Sequence, residues 1–287
     1  MTQSHHTRAL IAGPGVRGAS IACRKLVSME NYVAIKQLEV WADSFKEGEW
    51  FVTNLATQLR TPVRRTFKYN FQPIFTFYQD EMPIFVATVY GDYKGWDPIP
   101  TVIADILANG KPDILLYDRT SNKVFFGVEE TTAVPTGNQS LQRLERVWFS
   151  AIQQIPFVYL ISEYGMHIDG GARRSSIWPS YLALKLSSQY QVPSLTLLYG
   201  DATHPEDYAV GPGVSDLAAV SYLIVRDWLG DDVKREKEAI FARIFQEMGQ
   251  FIQSHASEIA PNLPGRSLLT SDAFLAFVAE RTARHEE

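Results

Sequence analysis

The fold of this chain is decided by the sequence KPDILLY at positions 111–117 and by VFFGVEET at positions 124–131, which lie on either side of a polar turn. Both runs are apolar and rich in residues that favour strands, so they predict an antiparallel hairpin. Asp113 begins the first strand, and Glu129 and Glu130 end the second. Folding at the turn therefore brings Asp113 beside the two glutamates, within the ~5 Å that separates opposed residues of a ladder.

The carboxylates at the open end of this hairpin predict a metal site. Asp113, Glu129 and Glu130 would repel one another and cost stability unless a divalent cation lay between them. We therefore expect these three residues to bind Mg²⁺, in a site of the kind that nucleases use. A surface turn with ordinary solvated acids is the alternative interpretation.

The hairpin and the residues after it resemble the PD-(D/E)XK nuclease superfamily, which includes most type II restriction endonucleases. The matching residues are Pro112-Asp113, the triplet Glu129-Glu130-Thr131 and the polar helix that follows, within about residues 111–162. The resemblance implies that Asp113 and Glu129 bind Mg²⁺, with help from the backbone carbonyl of Glu130. Thr131 stands where the family usually has a Lys that holds the attacking water. Thr131 can orient that water, but it cannot supply the charge of the Lys.

The ligand within the triplet follows from the alternation of side chains along a strand. Residues that flank an active-site acid point into the core and should be apolar. Glu129 is preceded by Val128, whereas Glu130 lies between Glu129 and Thr131. This pattern favours Glu129 as the ligand with Thr131 on the same face. The alternative register, Glu130 with Thr132, stays open.

A polar helix is predicted after the triplet, over about residues 139–154. Its predicted buried stripe consists of Leu141, Leu144, Trp148, Ala151 and Ile152. Its opposite side carries Gln139, Gln142, Arg143 and Arg146. Because the helix begins close to the acids, we expect its arginines to offset phosphate charge and its glutamines to orient water or a backbone oxygen. Gln142 is thus a catalytic candidate, and the other three are candidates for DNA contact. A merely solvated helix face is the alternative.

A second candidate DNA contact lies in the polar segment 169–178, which carries Arg173 and Arg174. We expect this segment to be a flexible loop. Such a loop can enter a DNA groove, where Arg recognises guanine or phosphate. An ordinary connection with solvated arginines accounts for the segment equally well.

The remaining elements predict an α/β fold. Residues 30–60 are expected to be helical, with Ala34, Leu38 and Trp41 on one buried face. Further elements are a hairpin of residues 74–78 and 84–90, a short helix through 103–107, strands at 157–161 and 195–199, a helix at 180–190, and helices at about 215–228 and 233–254. The order strand–strand–helix–strand from residue 111 onward is that of the restriction-endonuclease-like αβββαβ core, a mixed sheet flanked by helices. We therefore expect a single nuclease domain over residues 1–287, with its catalytic core at about 70–200 and a helical C-terminal part at about 215–287.

Composition favours a cytoplasmic enzyme. The 287 residues are 46% hydrophobic and carry a net charge of −5, which argues against a basic protein that coats nucleic acid non-specifically. It does not exclude a sequence-specific nuclease, whose basic residues need to cluster only in its cleft. Cys23 is the single cysteine, which excludes an internal disulfide. The sequence has no apolar run of ~18 residues and no secretory pattern at its start, so we expect no membrane segment.

These observations predict a Mg²⁺-dependent, sequence-specific endonuclease for double-stranded DNA, of the type II restriction kind. A homodimer is expected because two-fold symmetry matches a palindromic site, with a cognate DNA methyltransferase as a possible partner in the host. The apolar stripe from Leu217 to Trp228 would supply the dimer interface or part of the core. One alternative is a nucleic-acid-binding module without cleavage. Another is a dinucleotide-binding enzyme, because Gly13, Gly15 and Gly18 match G-x-G-x-x-G. RNA or single-stranded DNA also remains open as substrate.

Overall fold

A mixed sheet of eight strands forms the centre of the protein. The computed structural model describes residues 35–93, 98–131, 138–162, 164–166, 172–199 and 212–259, and all of them belong to one compact unit. For residues 138–142, 164–166, 172–174 and 256–259 it describes the backbone alone. Gly13, Gly15 and Gly18, on which the dinucleotide-binding alternative depends, therefore lie outside the described residues.

The described residues form ten strands and six helices. The strands are β1 (Lys36–Ala42), β2 (Val63–Lys68), β3 (Gln72–Gln79), β4 (Met82–Tyr90), β5 (Ile114–Asp118), β6 (Lys123–Thr131), β7 (Phe157–Ile161), β8 (Tyr164–Met166), β9 (Ala172–Arg174) and β10 (Ser194–Leu198). The helices are α1 (Phe45–Leu59), α2 (Thr101–Asn109), α3 (Asn138–Ile152), α4 (Trp178–Tyr190), α5 (Pro212–Leu229) and α6 (Lys234–Ile259).

The strand order in the large sheet is β10-β7-β6-β5-β1-β4-β3-β2. The pairs β10/β7, β7/β6 and β1/β4 are parallel, and the other neighbours are antiparallel. This arrangement confirms an α/β fold with a mixed sheet. The predicted hairpin of β5 and β6 is confirmed, with Ile114 opposite Val128. The predicted hairpin of β3 and β4 is confirmed as well.

The prediction of a helix over residues 30–60 is wrong for residues 36–42, which form β1. This strand lies between β4 and β5 and is buried on both faces. Leu38 packs in one hydrophobic cluster, and Trp41 stacks on Tyr90 at 4.2 Å in another. A strand buried on both faces has no polar alternation, so the spacing of its large apolar residues imitated a helical stripe. Strand β4 is the strand that precedes β5 in the chain, but the neighbour of β5 in the sheet on this side is β1.

Helices cover both faces of the sheet. One cluster joins β1, β5 and β6 to α1, α5 and α6 through Leu116, Val128, Phe51, Leu217 and Phe245, among others. Two smaller clusters pack α2 and α3 on the opposite face. The apolar residues of α5 lie in the core, since Leu217 and Val220 are almost wholly buried. This stripe is thus not available as a dimer interface.

The buried face of α3 differs from the predicted one. Leu144 and Ala151 are buried as predicted, together with Val147, but Trp148 is 54% exposed and Ile152 is 41% exposed. The buried residues face β7, and Trp148 instead lines a groove between α3 and α4 with Leu182 and Leu186. This rotation of the helix turns Arg143 and Arg146 toward the edge of the sheet where β6 ends.

The predicted loop at residues 169–178 is only partly a loop. Residues 172–174 form β9, which pairs antiparallel with β8 in a separate two-stranded sheet. Arg173 and Arg174 thus lie on a strand, and their side chains are outside the described part of the structure.

Candidate active site

The predicted acids lie together at one edge of the large sheet. Strand β5 begins at this edge and β6 ends there, because the two strands are antiparallel. Strands β7 and β10 run parallel to β6, so their carboxyl ends reach the same edge. Ends of strands leave backbone and side-chain groups without ladder partners, which makes this edge a place where a ligand can be bound.

Asp113 and Glu129 lie side by side across the hairpin. They occupy the position that follows the Ile114–Val128 pair in the ladder, so their side chains share one face of the sheet. Asp113 Oδ2 accepts a hydrogen bond from the backbone N–H of Glu130 at 2.6 Å. The side chain of Glu129 is wholly buried. The close approach of two acids is therefore a property of the fold and not of a flexible surface.

Two arginines of α3 contact these acids. Arg143 Nη1 donates to Glu129 Oε1 and to the backbone carbonyl of Glu130, both at 2.9 Å. Arg146 Nη1 donates to Glu129 Oε2 and lies 3.5 Å from Asp113 Oδ1. Each guanidinium nitrogen thus bridges two oxygen atoms of the cluster. Arg143 and Arg146 thus lie at the acids, and their expected contact with phosphate stays a prediction.

The electrostatics of the cluster require compensating positive charge. Burial and the neighbouring charge of Glu129 raise the pKa of Asp113 to about 8. Burial also raises the pKa of Glu129, against the opposing effects of Arg146 and Arg143. Two neighbouring carboxylates, one buried and one mostly buried, resist losing both protons unless positive charge is supplied. In this structure that charge comes from the two guanidinium groups.

Glu130 points to the other face of the sheet, toward α1. Its carboxylate accepts a hydrogen bond from the hydroxyl of Tyr199, which follows β10. Burial raises the pKa of Glu130, and the charge of Glu47 on α1 raises it further. Glu129 and Glu130 are therefore not equivalent, since only Glu129 shares a face with Asp113.

The sequence did not predict that Glu47, Tyr199 and Tyr159 lie at this site. Ser44 caps α1 by accepting from the N–H of Glu47 at 3.2 Å, so the pattern S-x-x-E at positions 44–47 was the available signal for the start of this helix. Among the described residues, Glu47 Oε2 is buried and has no hydrogen-bond partner, and the hydroxyl of Tyr159 is in the same state. Tyr159 pairs with Glu129 in the β6/β7 ladder. No local pattern marked the two tyrosines.

The other predicted site residues have different positions. Thr131 is buried at the end of β6, two residues beyond Glu129 on the same face. Gln139 and Gln142 lie on the first turns of α3, but their side chains are outside the described part of the structure. Lys111 is a cation that the sequence reasoning did not use, and it forms an ion pair with Asp43 at this edge of the sheet.

The oxygen atoms of the cluster are of the chemical type that Mg²⁺ accepts as ligands. Within the described ranges, no group of three or more His, Cys, Asp or Glu side chains is arranged to hold a metal. Mg²⁺, however, is commonly held by one or two carboxylates, with water and substrate phosphate completing its shell. Asp113, Glu129 and the backbone carbonyl of Glu130 provide such a set of hard oxygen donors. Arg143 and Arg146 contact these same oxygens, so a cation at this place has to compete with the guanidinium groups.

Comparisons with protein-family models, with curated proteins and with solved structures find no match to this chain. None of the helices within the described residues is long and apolar enough to cross a membrane.

Proposed function

We propose that the protein is a Mg²⁺-dependent, sequence-specific endonuclease for double-stranded DNA, of the type II restriction kind. The observation that carries the proposal is the adjacency of Asp113 and Glu129 at the edge of a mixed sheet, with Arg143 and Arg146 reaching them from the next helix. Strands β5, β6 and β7 with α3 then correspond to the PD-(D/E)XK core. Only Asp113, Glu129 and the carbonyl of Glu130 are needed to hold the metal.

Cleavage requires charge to be neutralised on the scissile phosphate. When bound, Mg²⁺ polarises the phosphate and lowers the pKa of a water molecule. Water attacks phosphorus in line, the bond to the 3′ oxygen breaks, and the products carry a 5′-phosphate and a 3′-hydroxyl. Thr131 orients the attacking water from the same face as Glu129. It supplies no charge, so the arginines of α3 have to do so.

The arginines can do this because their present partners are the metal-binding oxygens. Binding of a cation by Glu129 would weaken its ion pairs with Arg143 and Arg146. Each guanidinium would then be able to donate its N–H groups to phosphate oxygens in a charge-assisted, bidentate contact. Exchange of arginine contacts from carboxylate to phosphate would link metal binding to substrate binding.

One observation favours a second candidate function, a nucleic-acid-binding module of the same fold without cleavage. Arg143 and Arg146 already compensate the buried acids, and Thr131 lacks the charge of the usual Lys. In that case the acids would fix the arginines as a binding surface, and Mg²⁺ would have no role. The candidates differ in one testable property, which is hydrolysis that depends on metal.

Unmethylated genomic DNA incubated with the purified protein and Mg²⁺ separates these functions. Discrete fragments that disappear with EDTA support the endonuclease and its specificity together. Retention of DNA without cleavage supports the binding module. Absence of both contradicts both. Cleavage confined to RNA or single-stranded DNA would keep the chemistry and correct the substrate.

The proposal extends to assembly and partners. A two-fold homodimer would cut both strands of a palindromic site, and a cognate methyltransferase would protect the host DNA. Because the apolar residues of α5 are in the core, the dimer interface has to use another surface. A particle mass that stays monomeric with and without DNA would contradict the dimer.

A further inference from the structure

An exposed hairpin lies at the β2 end of the strand order, on the side of the large sheet opposite to β10. Among the strands that the structure describes, β2 is the outermost of the large sheet, and its one described partner there is β3. Residues 64–71, here called the arm, are all exposed. They comprise the sequence RRTFKYNF, with three cations and three aromatic rings. An exposed edge strand rich in aromatic residues is a liability for a protein unless it has a binding role.

The charge of the arm stands out from that of the whole chain. The protein has a net charge of −5, yet residues 60–78 contain no Asp or Glu. The cations of this segment are Arg60, Arg64, Arg65 and Lys68, of which Arg65 forms an ion pair with Glu49 on α1. A local basic region in an acidic protein is the electrostatic signature expected of a contact with a polyanion.

The aromatic rings of the arm are presented together with its cations. Phe67 is 50% exposed, Tyr69 is 55% exposed and Phe71 is 44% exposed. Lys68 Nζ lies 4.9 Å from the ring centroid of Tyr69, and the guanidinium of Arg65 lies 4.7 Å from that of Phe67. Alternation of rings and positive charges suits a ligand that has both flat faces and phosphates, which is nucleic acid.

The tip of the arm has a left-handed backbone conformation that favours Gly, Asn or Asp over Tyr. Phe71 N–H donates to the carbonyl of Lys68 at 3.3 Å, which closes a tight turn. The central residues Tyr69 and Asn70 have φ of 56° and 63°. Gly, Asn and Asp are preferred in such a turn, and a Tyr in the left-handed region is disfavoured. The turn conformation therefore does not select Tyr69, whose ring is stacked with that of Phe71 at 6.3 Å between centroids and is still 55% exposed.

The tip lies at the same edge of the sheet as the candidate active site. Strands β1 and β4 run antiparallel to β5, β3 runs parallel to it, and β2 runs antiparallel to it. The last residues of β2 therefore lie at the edge of the sheet where β5 begins. The ring centroids of Phe71 and Phe45 are 6.1 Å apart. Phe45 lies two residues after Asp43, and the backbone N–H of Asp43 donates to the carbonyl of Asp113. Four strand spacings, roughly 19 Å, separate β5 from β2. This span is about six steps of 3.4 Å along duplex DNA.

We propose that the arm holds the DNA substrate alongside the acids, its cations on phosphates and its rings against bases at a locally opened step. The inference rests on the proposed function, because it names how the substrate of that site is held. Aromatic or apolar side chains that enter a groove pack on partly unstacked bases, which suits a ring at the tip of a hairpin. The rings and the cations thus contribute separable parts of the affinity.

Two variants test these parts separately. Tyr69→Asn removes the ring and suits the left-handed turn, so it leaves the hairpin folded. Lys68→Ala removes one cation beside it. The matched controls are Met82→Asn, which removes a side chain 69% exposed at the opposite end of the sheet, and Lys234→Ala, which removes a cation 80% exposed on α6.

The measurement is the Kd for a labelled DNA duplex in EDTA, over a series of salt concentrations. Tyr69→Asn should weaken binding by about five- to 150-fold without changing the salt dependence. Lys68→Ala should reduce the slope of log K against log salt by about 0.9. A duplex with one unpaired base should bind the unaltered protein more tightly than a fully paired duplex, and Tyr69→Asn should remove this preference. The two controls should bind as the unaltered protein does.

Three outcomes would overturn the inference: unaltered binding by both arm variants, equal losses in the controls, or no DNA binding by the unaltered protein. Competition by polyglutamate as effective as that by DNA would also overturn it, in favour of an acidic protein as the partner. None of these results depends on hydrolysis. Cleavage by the arm variants at the unaltered rate would support the endonuclease and contradict the role of the arm. Binding that depends on the arm, without cleavage, would support the role of the arm and contradict the endonuclease.

Discussion

Glu129 of β6 and Arg146 of α3 form an ion pair in which the glutamate side chain is wholly buried and the arginine side chain is 25% exposed. Arg146 also lies beside Asp113, so one side chain compensates two acids. The pair joins the strand that carries the acids to the helix that follows it. It therefore belongs both to the stability of the fold and to the chemistry of the candidate site.

Arg146→Ala should destabilise the metal-free protein by up to about 3–5 kcal/mol, because it removes one of the two arginines that compensate the buried carboxylate of Glu129 and leaves Arg143 alone on it. Adding Glu129→Gln should recover part of that loss, since the double variant no longer buries a carboxylate that is only partly compensated. Unfolding by urea in EDTA measures both effects, with Lys234→Ala as a surface control. Equal losses for the single and double variants would show that Glu129 does not depend on Arg146.

Stability should depend on pH through Asp113. Its folded pKa of about 8 lies well above its ordinary value of ~3.9, so between these values the folded protein keeps a proton that the unfolded chain releases. The stabilisation is complete below about pH 4 and is lost as the pH rises to about 8, with a slope of up to about 1.4 kcal/mol per pH unit.

Asp113→Asn should flatten this dependence. The free energy of unfolding in EDTA, measured between about pH 5 and pH 8, shows whether it does. Asp105→Asn, a change at an exposed acid of α2, should keep the slope of the unaltered protein. A slope that survives Asp113→Asn would place the raised pKa on another group.

The register of the acids predicts different roles for Glu129 and Glu130. Glu129→Gln should weaken Mg²⁺ binding more than Glu130→Gln, because only Glu129 lies on the face of Asp113. Calorimetric titration with Mg²⁺ compares the two, with Tyr199→Phe as a control that removes the hydrogen bond to Glu130. A larger loss for Glu130→Gln would support the alternative register.

Much of the fold was predictable because its elements carry local patterns. Strands β5 and β6 flank a polar turn, and α3 has a clear amphipathic period. Strand β1 was mistaken for helix, since burial on both faces removes the alternation that marks a strand. Its place between β4 and β5 depends on contacts distant in sequence, which no local pattern encodes.

The site was predictable to a similar extent. Asp113 and Glu129 came from the geometry of a hairpin, which fixes the neighbours of each residue. The contacts of Arg143 and Arg146 depend on the rotation of α3, and the predicted stripe of Trp148 and Ile152 misjudged that rotation. Glu47 and Tyr199 reach the site only because β1 and β10 end at the same edge as β6.

In the proposed function, Asp113 and Glu129 bind the Mg²⁺ ion on which DNA cleavage depends. The most direct measurement is the rate of cleavage of supercoiled plasmid DNA in Mg²⁺ by the unaltered protein, Asp113→Asn, Glu129→Gln and the control Asp105→Asn. We expect metal-dependent cleavage by the unaltered protein and by Asp105→Asn. We expect none by the other two variants, each of which should still bind DNA. Cleavage by Asp113→Asn and Glu129→Gln at the unaltered rate would contradict the account.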